Sequence, residues 1–385
     1  MQSNFSTQAR HWLQLSATPG LGPAALGRLR AAFGTGAAIL GQSVATLTPL
    51  IGSQRAAALA QGAARGLEDA PALVLEWLAG TGPRALLCLE DAPYPSRLLD
   101  LADAPPILYV RGDPARLAQA SIAVVGSRQA SASGLDHAYD FARTLAALGL
   151  SIVSGLARGI DGAAHTGALA GGAGATTAFV GTGIDRVYPP RHHALAQAIV
   201  DGGGAIASEF ALGTPALAAH FPRRNRLIAA ASLGVLVVEA NAQSGSLITA
   251  RQALELGREV FAIPGPIRAE HSRGCHALLR AGAKLVESVT DILDELPALA
   301  PQRDAHADKP PSPEAAALPT AVATAEPAGA APGPGLGLLG WEATTLDQLL
   351  AHSESGAASW LARLTQWELA GTVTRLADGR WQRLR

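Results

Sequence analysis

An α/β fold is predicted, built on a parallel sheet with helices on both faces. A small helical domain precedes it and a small helix-and-hairpin domain follows. Three observations carry this. From Ser121, apolar runs at Ile122–Val125, Ser151–Ser154, Thr176–Val180, Ala205–Glu209, Leu233–Glu239 and Glu259–Ile263 alternate with helix-like segments near 133–148, 160–171, 191–202, 222–232 and 245–257. Strands that are apolar throughout, rather than every second residue, are buried on both faces, as in a parallel sheet. Finally, residues 297–340 hold nine prolines and no aromatic residue, whereas 341–385 regain Trp341, Trp360 and Trp367.

Composition sets the outer limits. The 385 residues suffice for two or three domains. The chain is 48% hydrophobic but only 4% aromatic, so its core is mostly Ala, Leu, Val and Ile. A net charge of -1 argues neither for nor against a polyanionic partner, so any such site is local. Two cysteines, Cys88 and Cys275, exclude a disulfide framework or a Cys-rich metal site and fit a reducing compartment. The first twelve residues are polar and no apolar run approaches the ~18 residues a membrane helix needs, so a cytoplasmic protein without a membrane segment is expected.

Taken in order, residues 1–80 read as a helical domain. Leu13, Leu15, Leu26, Leu29, Phe33 and Leu40 recur near helical spacing, and Gly20-Leu21-Gly22 and Ile51-Gly52-Ser53 each precede an Ala/Leu-rich run. Tight glycine turns between short helices resemble a helix-hairpin-helix or SAM-like module, and simple helical packing describes them equally. The main domain spans 81–296. Its entry is a Pro-rich crossing, Asp91–Leu99, followed by a short strand in Pro105–Gly112. Residues 297–340 cannot bury enough apolar surface to offset ordering and are expected to be a disordered linker. In 341–385, helical Trp and Leu spacing is followed by Thr372–Leu376, an Asp378-Gly379 turn and Arg380–Leu384, a winged-helix-like arrangement. Five basic and five acidic residues in this tail give it a poor electrostatic case for DNA, and contact with protein is the competing reading.

The chemistry lies at the strand ends, where ligands bind in parallel sheets. Strand 122–125 runs into Gly126-Ser127-Arg128, which combines close backbone approach, a hydroxyl and a guanidinium fork suited to phosphate. Strand 151–154 ends at Ser154 and runs into Gly155-Leu156-Ala157-Arg158-Gly159-Ile160-Asp161, and strand 176–180 into Gly181-Thr182-Gly183 and then Tyr188-Pro189. Ser244-Gly245-Ser246 follows strand 233–239 at a helix start, where N–H groups suit an anion, and Pro264-Gly265 follows strand 259–263. Any one of these glycines can be a plain tight turn; their order on one sheet edge makes a groove for phosphates.

The densest positive charge is Phe221-Pro222-Arg223-Arg224-Asn225-Arg226. Pro222 suits the first turn of a helix, where cations oppose the dipole, and no Asp or Glu lies between Glu209 and Glu239 to neutralise them. An anion would offset them; a solvated basic turn is the alternative. Phe221 is either a base-stacking ring or a hydrophobic staple.

Enzyme motifs fare worse. Asp161 and His165 share a helix face and allow acid/base work, or an N-capping Asp beside a hydrogen-bonded His. Glu209 and Glu239 are paired carboxylates or partners that orient Arg224, Arg226 or backbone amides. A Gly-x-Gly-x-x-Gly fingerprint does not follow Val125, a Walker loop is absent, and the ten histidines are scattered. No catalytic residue, metal or cofactor is expected.

As an ordered set these segments resemble the DNA-processing protein A family (DprA, also called Smf). The resemblance rests on Gly126-Ser127-Arg128, Ser154–Asp161 with His165, Tyr188-Pro189, Ser208-Glu209, Phe221–Arg226, Glu239 with Ser244–Arg251, and Pro264-Gly265, and it covers about residues 90–290. It implies an extended Rossmann domain that binds single-stranded DNA, forms a homodimer through that domain and loads the RecA recombinase during natural transformation, without catalysis. By motif, Arg128 and Phe221–Arg226 correspond to the family's DNA-binding groove; Gly126, Ser127, Ser154, Gly155, Arg158, Gly181, Gly183, Ser244, Gly245 and Ser246 complete the expected DNA-binding set. The family usually has Asn where this chain has His192 and His276. A rival of another class is a nucleotide-hydrolysing enzyme of the lysine-decarboxylase-like group, whose site resembles Pro-Gly-Gly-x-Gly-Thr; here Pro264-Gly265-Pro266-Ile267 lacks the later glycines.

Overall fold

The computed structural model of the chain describes residues 7–61, 69–91, 93–172, 176–296, 344–351, 356–376 and 379–383. Residues 1–299 and 300–385 are separate compact units. The runs become strands because each is short, uncharged and free of Pro, and is bounded by turns. All residues of β3 (Ser121–Val125), β4 (Ser151–Ser154), β5 (Thr176–Phe179), β6 (Ala205–Ser208) and β7 (Gly234–Val237) are buried, as two covered faces demand. With β1 (Arg84–Cys88), β2 (Ile107–Gly112), β8 (Glu259–Ala262) and β9 (Lys284–Leu285) they form one sheet in the order β1-β2-β6-β5-β4-β3-β7-β8-β9.

From β6 to β9 every pairing is parallel, and the expected α/β class stands. The sheet is nevertheless mixed. β2 runs antiparallel to β6, and β1 antiparallel to β2, with Arg84 opposite Arg111. Periodicity located a strand near β2 but carries no direction, and β9, two exposed residues, is too short to leave a pattern.

Crossover helices α7 (Ala132–Ala147), α8 (Ile160–Gly171), α9 (His193–Asp201), α10 (His220–Ala231) and α11 (Ser246–Glu255) cover the sheet, followed by α12 (Arg273–Arg280) and α13 (Val289–Asp294). Among the described residues six helices, α1–α6, precede them within residues 7–79 and bury Trp12, Leu15, Leu29, Ile39, Leu47 and Ile51. Their core continues into Tyr109, Ala178, Val180 and Ile206 of the sheet. Glu90 ties the two, accepting from Trp12 Nε1 at 2.9 Å and the Gly36 amide at 3.1 Å.

Among the described residues, the C-terminal unit has two helices, Leu346–Ala351 and Ala357–Leu369, and an antiparallel pair of Val373–Arg375 with Trp381–Arg383 around Leu349, Trp360, Leu364, Trp367 and Trp381. The expected linker at 297–340, and Asp378 of the expected turn, lie outside the described residues. Among the described residues no helix is long and apolar enough to cross a membrane.

Candidate nucleic-acid interface

Because β5, β4, β3, β7 and β8 are parallel neighbours, their C-terminal loops share one edge. The β3 loop is held there by backbone bonds. The Ser127 amide donates to the Glu239 carbonyl at 2.8 Å, and the Ile160 amide donates to the Ser127 carbonyl at 3.1 Å. Gly126 is required by close approach: a Cβ would lie 2.6 Å from Ile160 Cγ1 and 2.8 Å from the Glu239 carbonyl oxygen. The Glu239 carboxylate accepts from the Ser131 amide at 3.0 Å and from the Ser131 hydroxyl, which itself caps α7 at Gly134 N. Glu239 therefore orients amides, one of the two roles its position allowed.

That loop presents Arg128 to solvent. Its guanidinium lies over the Phe221 ring, 5.1 Å from the centroid, and Phe221 packs against Tyr188 at 5.6 Å and 44°. Gly181 makes room for the ring; a Cβ there would be 3.2 Å from Phe221 Cδ1. Tyr188 is 45% exposed, so the Arg128–Phe221–Tyr188 stack is an accessible platform.

The arginine cluster divides. The helix begins at His220, so Pro222 falls inside the first turn rather than opening it, and Arg224 and Arg226 turn inward. Glu209 takes the expected role of orienting Arg226, and an external anion is not needed to offset Arg226, because Asp103 reaches it from distant chain. Arg226 is only 7% exposed and lies 2.6 Å from Glu209 Oε2 and 3.1 Å from Asp103 Oδ2. Glu209 also takes Arg223 at 3.0 Å. Arg224, 2% exposed, donates to the Phe179 carbonyl at 2.6 Å, and a Cβ on Gly155 would overlap its guanidinium. It sits beside Asp161, which accepts from the Gly155 and Ala157 amides at 3.1 and 3.3 Å. Burial pushes the Asp161 carboxyl up against the pull of Arg224, and brings Arg224 down to about 10 against the pull of Asp161. Arg224 and Arg226, expected on the DNA-facing rim, are thus buried struts. Arg223 remains half-exposed, over the Phe210 ring at 4.8 Å, where His220 stacks on Phe210 at 4.3 Å.

The other expected positions are mainly structural in geometry. Ser154 is buried and donates to the Val124 carbonyl at 2.7 Å. Gly183 abuts Ala211, whose carbonyl oxygen would meet a Cβ at 2.7 Å. Ser244 and Ser246 hydroxyls bond each other at 2.7 Å, with Gly245 exposed between them, and Asn225 Nδ2 lies 3.5 Å from the Gly245 carbonyl. Arg158 is exposed. Among the described residues no three His, Cys, Asp or Glu side chains converge as metal ligands.

Beyond Arg128 a cleft of about 450 Å³ opens, lined by Arg158, Arg191, His192, Gln129 and Leu135. Arg191 and His192 were not singled out as site residues; their place directly after the Tyr188-Pro189 strand-end motif was the available signal.

The protein-family model for DNA recombination-mediator protein A matches residues 85–297, more than half of the chain. The chain belongs to that family. A model of the DprA winged helix domain matches residues 307–379, so the C-terminal helices and hairpin are a winged helix. Protein Smf of Escherichia coli is 49% identical over 211 residues, covering 55% of this chain; the chain spans 56% of that relative's length. The solved structure of DNA processing protein A from Streptococcus pneumoniae has a TM-score of 0.64 and 34% identity, covering 76% of this chain and 99% of that one. That from Helicobacter pylori, described for its single-stranded DNA binding mode, has a TM-score of 0.51 and 29% identity over 56% of this chain and 96% of that one.

The histidines at the two expected departures from the family pattern both hydrogen-bond. His192 Nδ1 donates to the Leu156 carbonyl at 2.9 Å, and His276 Nε2 to the Gly265 carbonyl at 2.9 Å, each steadying a strand-end loop.

His165 belongs to the scaffold of this family member rather than to acid/base chemistry. It is fully buried; Nε2 accepts from the Leu156 amide at 3.3 Å, so Nδ1 carries the proton toward Thr176 Oγ1 at 2.7 Å. Burial, helped by His192 and Arg224, lowers its pKa from 6.5 to about 3. The unfolded chain therefore binds the extra proton first: stability supplied by neutral His165 is intact above pH 6.5 and is lost as pH falls toward 3. His165→Asn is expected to flatten this fall by about 3 kcal/mol between neutrality and roughly pH 4. Denaturant melts at the two pH values check it, and an unchanged slope would contradict the assignment. Asp161 titrates with the opposite sense in both proteins and cancels in the comparison.

Proposed function

We propose that this chain grips single-stranded DNA along the strand-end edge of its sheet, without cutting it. The observation that carries the reading is the stack of exposed Arg128 and Tyr188 about half-buried Phe221 on that edge. Sequence-independent binding of one strand needs cations for phosphates and π-faces for bases, and this stack supplies both at one place. The Helicobacter pylori relative, described for binding single strands, supports it. From the family resemblance the proposal extends to delivery of the strand to RecA during natural transformation, to a homodimer formed through the Rossmann-like unit, and to a cytoplasmic setting. Arg128, Arg158, Arg223 and Phe221 are the proposed direct contacts, with Gly126, Ser127, Gly155, Gly181, Gly183 and Ser244–Ser246 shaping the loops.

Fluorescence anisotropy with labelled oligo-dT tests the binding. Phe221→Ala is expected to cost about 1–3 kcal/mol, the worth of one stacked base. Arg128→Ala weakens binding and lowers the slope of log K against log salt by about 0.7, one phosphate contact on a single strand. Unchanged affinity in both variants removes the proposed groove. Delivery is read separately, as faster RecA filament assembly on strands covered by single-strand-binding protein; no acceleration would end that part of the proposal.

A further inference from the structure

The cleft beside Arg128 has features that a continuous strand does not require. Three guanidiniums, from Arg128, Arg158 and Arg191, line it, and they arrive from the loops after three successive neighbours in the sheet, β3, β4 and β5. All three residues are exposed, and among the described residues none has a carboxylate within ion-pair distance. Like charges held together with no carboxylate in ion-pair contact raise the local potential, and their natural complement is a compact polyanion.

We infer that this cleft is a seat for a terminal phosphate: a phosphomonoester at the end of a DNA strand or on a free mononucleotide. This rests on the single-strand reading proposed above and deepens it. An internal phosphodiester carries one negative charge and offers two free oxygens, whereas a phosphomonoester near neutral pH carries about -1.5 to -2 and offers three. Three guanidinium forks match the second better than the first. The size agrees: about 450 Å³ is within the range of small-ligand sites. Leu135 gives the cleft an apolar wall for a sugar or base, while Gln129 adds a neutral polar group. Arg128 is shared between the cleft and the Phe221–Tyr188 stack, so a nucleotide whose phosphate it holds lies next to a ring platform.

The test compares short oligo-dT carrying a 5′-phosphate, a 3′-phosphate or neither, by anisotropy on the full chain, with dTMP and inorganic phosphate as competitors. One phosphorylated end is expected to bind at least about tenfold more tightly than the unphosphorylated oligo, a difference near 1.4 kcal/mol. Arg191→Ala abolishes that preference while leaving the unphosphorylated oligo's affinity unchanged. Saturable dTMP binding that Arg191→Ala removes, without an end preference, assigns the seat to free mononucleotides instead. Equal affinity for all three oligos with no dTMP binding overturns the inference, as does an end preference that survives Arg191→Ala. Should no oligo bind, the single-strand reading falls, and the dTMP titration alone then decides the cleft.

Discussion

Arg224→Ala is expected to destabilise the larger unit by about 1–3 kcal/mol, the cost of leaving a buried polar group without its partner. Two groups are stranded by it. The Asp161 carboxylate, already pushed up by burial, loses the cation that opposes that push, and the Phe179 carbonyl loses its donor. Gly155, bare so that the guanidinium can pass, would face a void. Chemical denaturation of the full chain reads the effect as a shift of the larger unit's transition to lower denaturant. Arg224→Lys keeps the charge but not the fork and is expected to recover only part of the loss. A transition unmoved by Arg224→Ala would mean that the buried guanidinium contributes nothing to stability. Weak DNA binding by Arg224→Ala would therefore report a damaged sheet edge, in contrast to Arg128→Ala, whose side chain projects into solvent.

This contrast marks where sequence reading succeeded and where it ran out. The strands β3 to β8 were legible because burial on both faces forces uninterrupted apolar runs, and the glycine loops because close backbone contacts exclude a Cβ, as at Gly126 against Ile160. The Phe221–Arg226 run was visible as charge, but not its direction. Which arginine faces inward depends on where the helix starts, and it starts at His220. Glu209 was legible as a partner of Arg226, but Asp103 was hidden, since it lies far from the cluster in sequence and reaches it only through the fold. Arg191 went unremarked for the converse reason: alone in its loop, it gains meaning only beside Arg128 and Arg158. Antiparallel β1 and β2 were beyond reach because local pattern does not encode pairing direction.

Glu209→Ala is the second large effect, and it separates support from contact within the same arginine cluster. The Glu209 side chain is 1% exposed and binds Arg226 and Arg223 through one oxygen. Its removal leaves Arg226, itself buried, with Asp103 alone, at a cost of about 3 kcal/mol or more. Glu209→Gln retains an acceptor of the same size and is expected to lose less, since neutral acceptors still satisfy guanidinium donors at reduced strength. The milder variant then becomes informative for binding. Taking away one buried negative charge releases Arg223 from its tether beside the proposed groove, so oligo-dT affinity should rise at low salt, and its salt slope should steepen by up to about 0.7. A steeper slope with Glu209→Gln and a shallower one with Arg128→Ala would place both arginines on the phosphate path. A slope left unchanged by Glu209→Gln would instead confine Arg223, like Arg226, to holding helix α10 against the sheet.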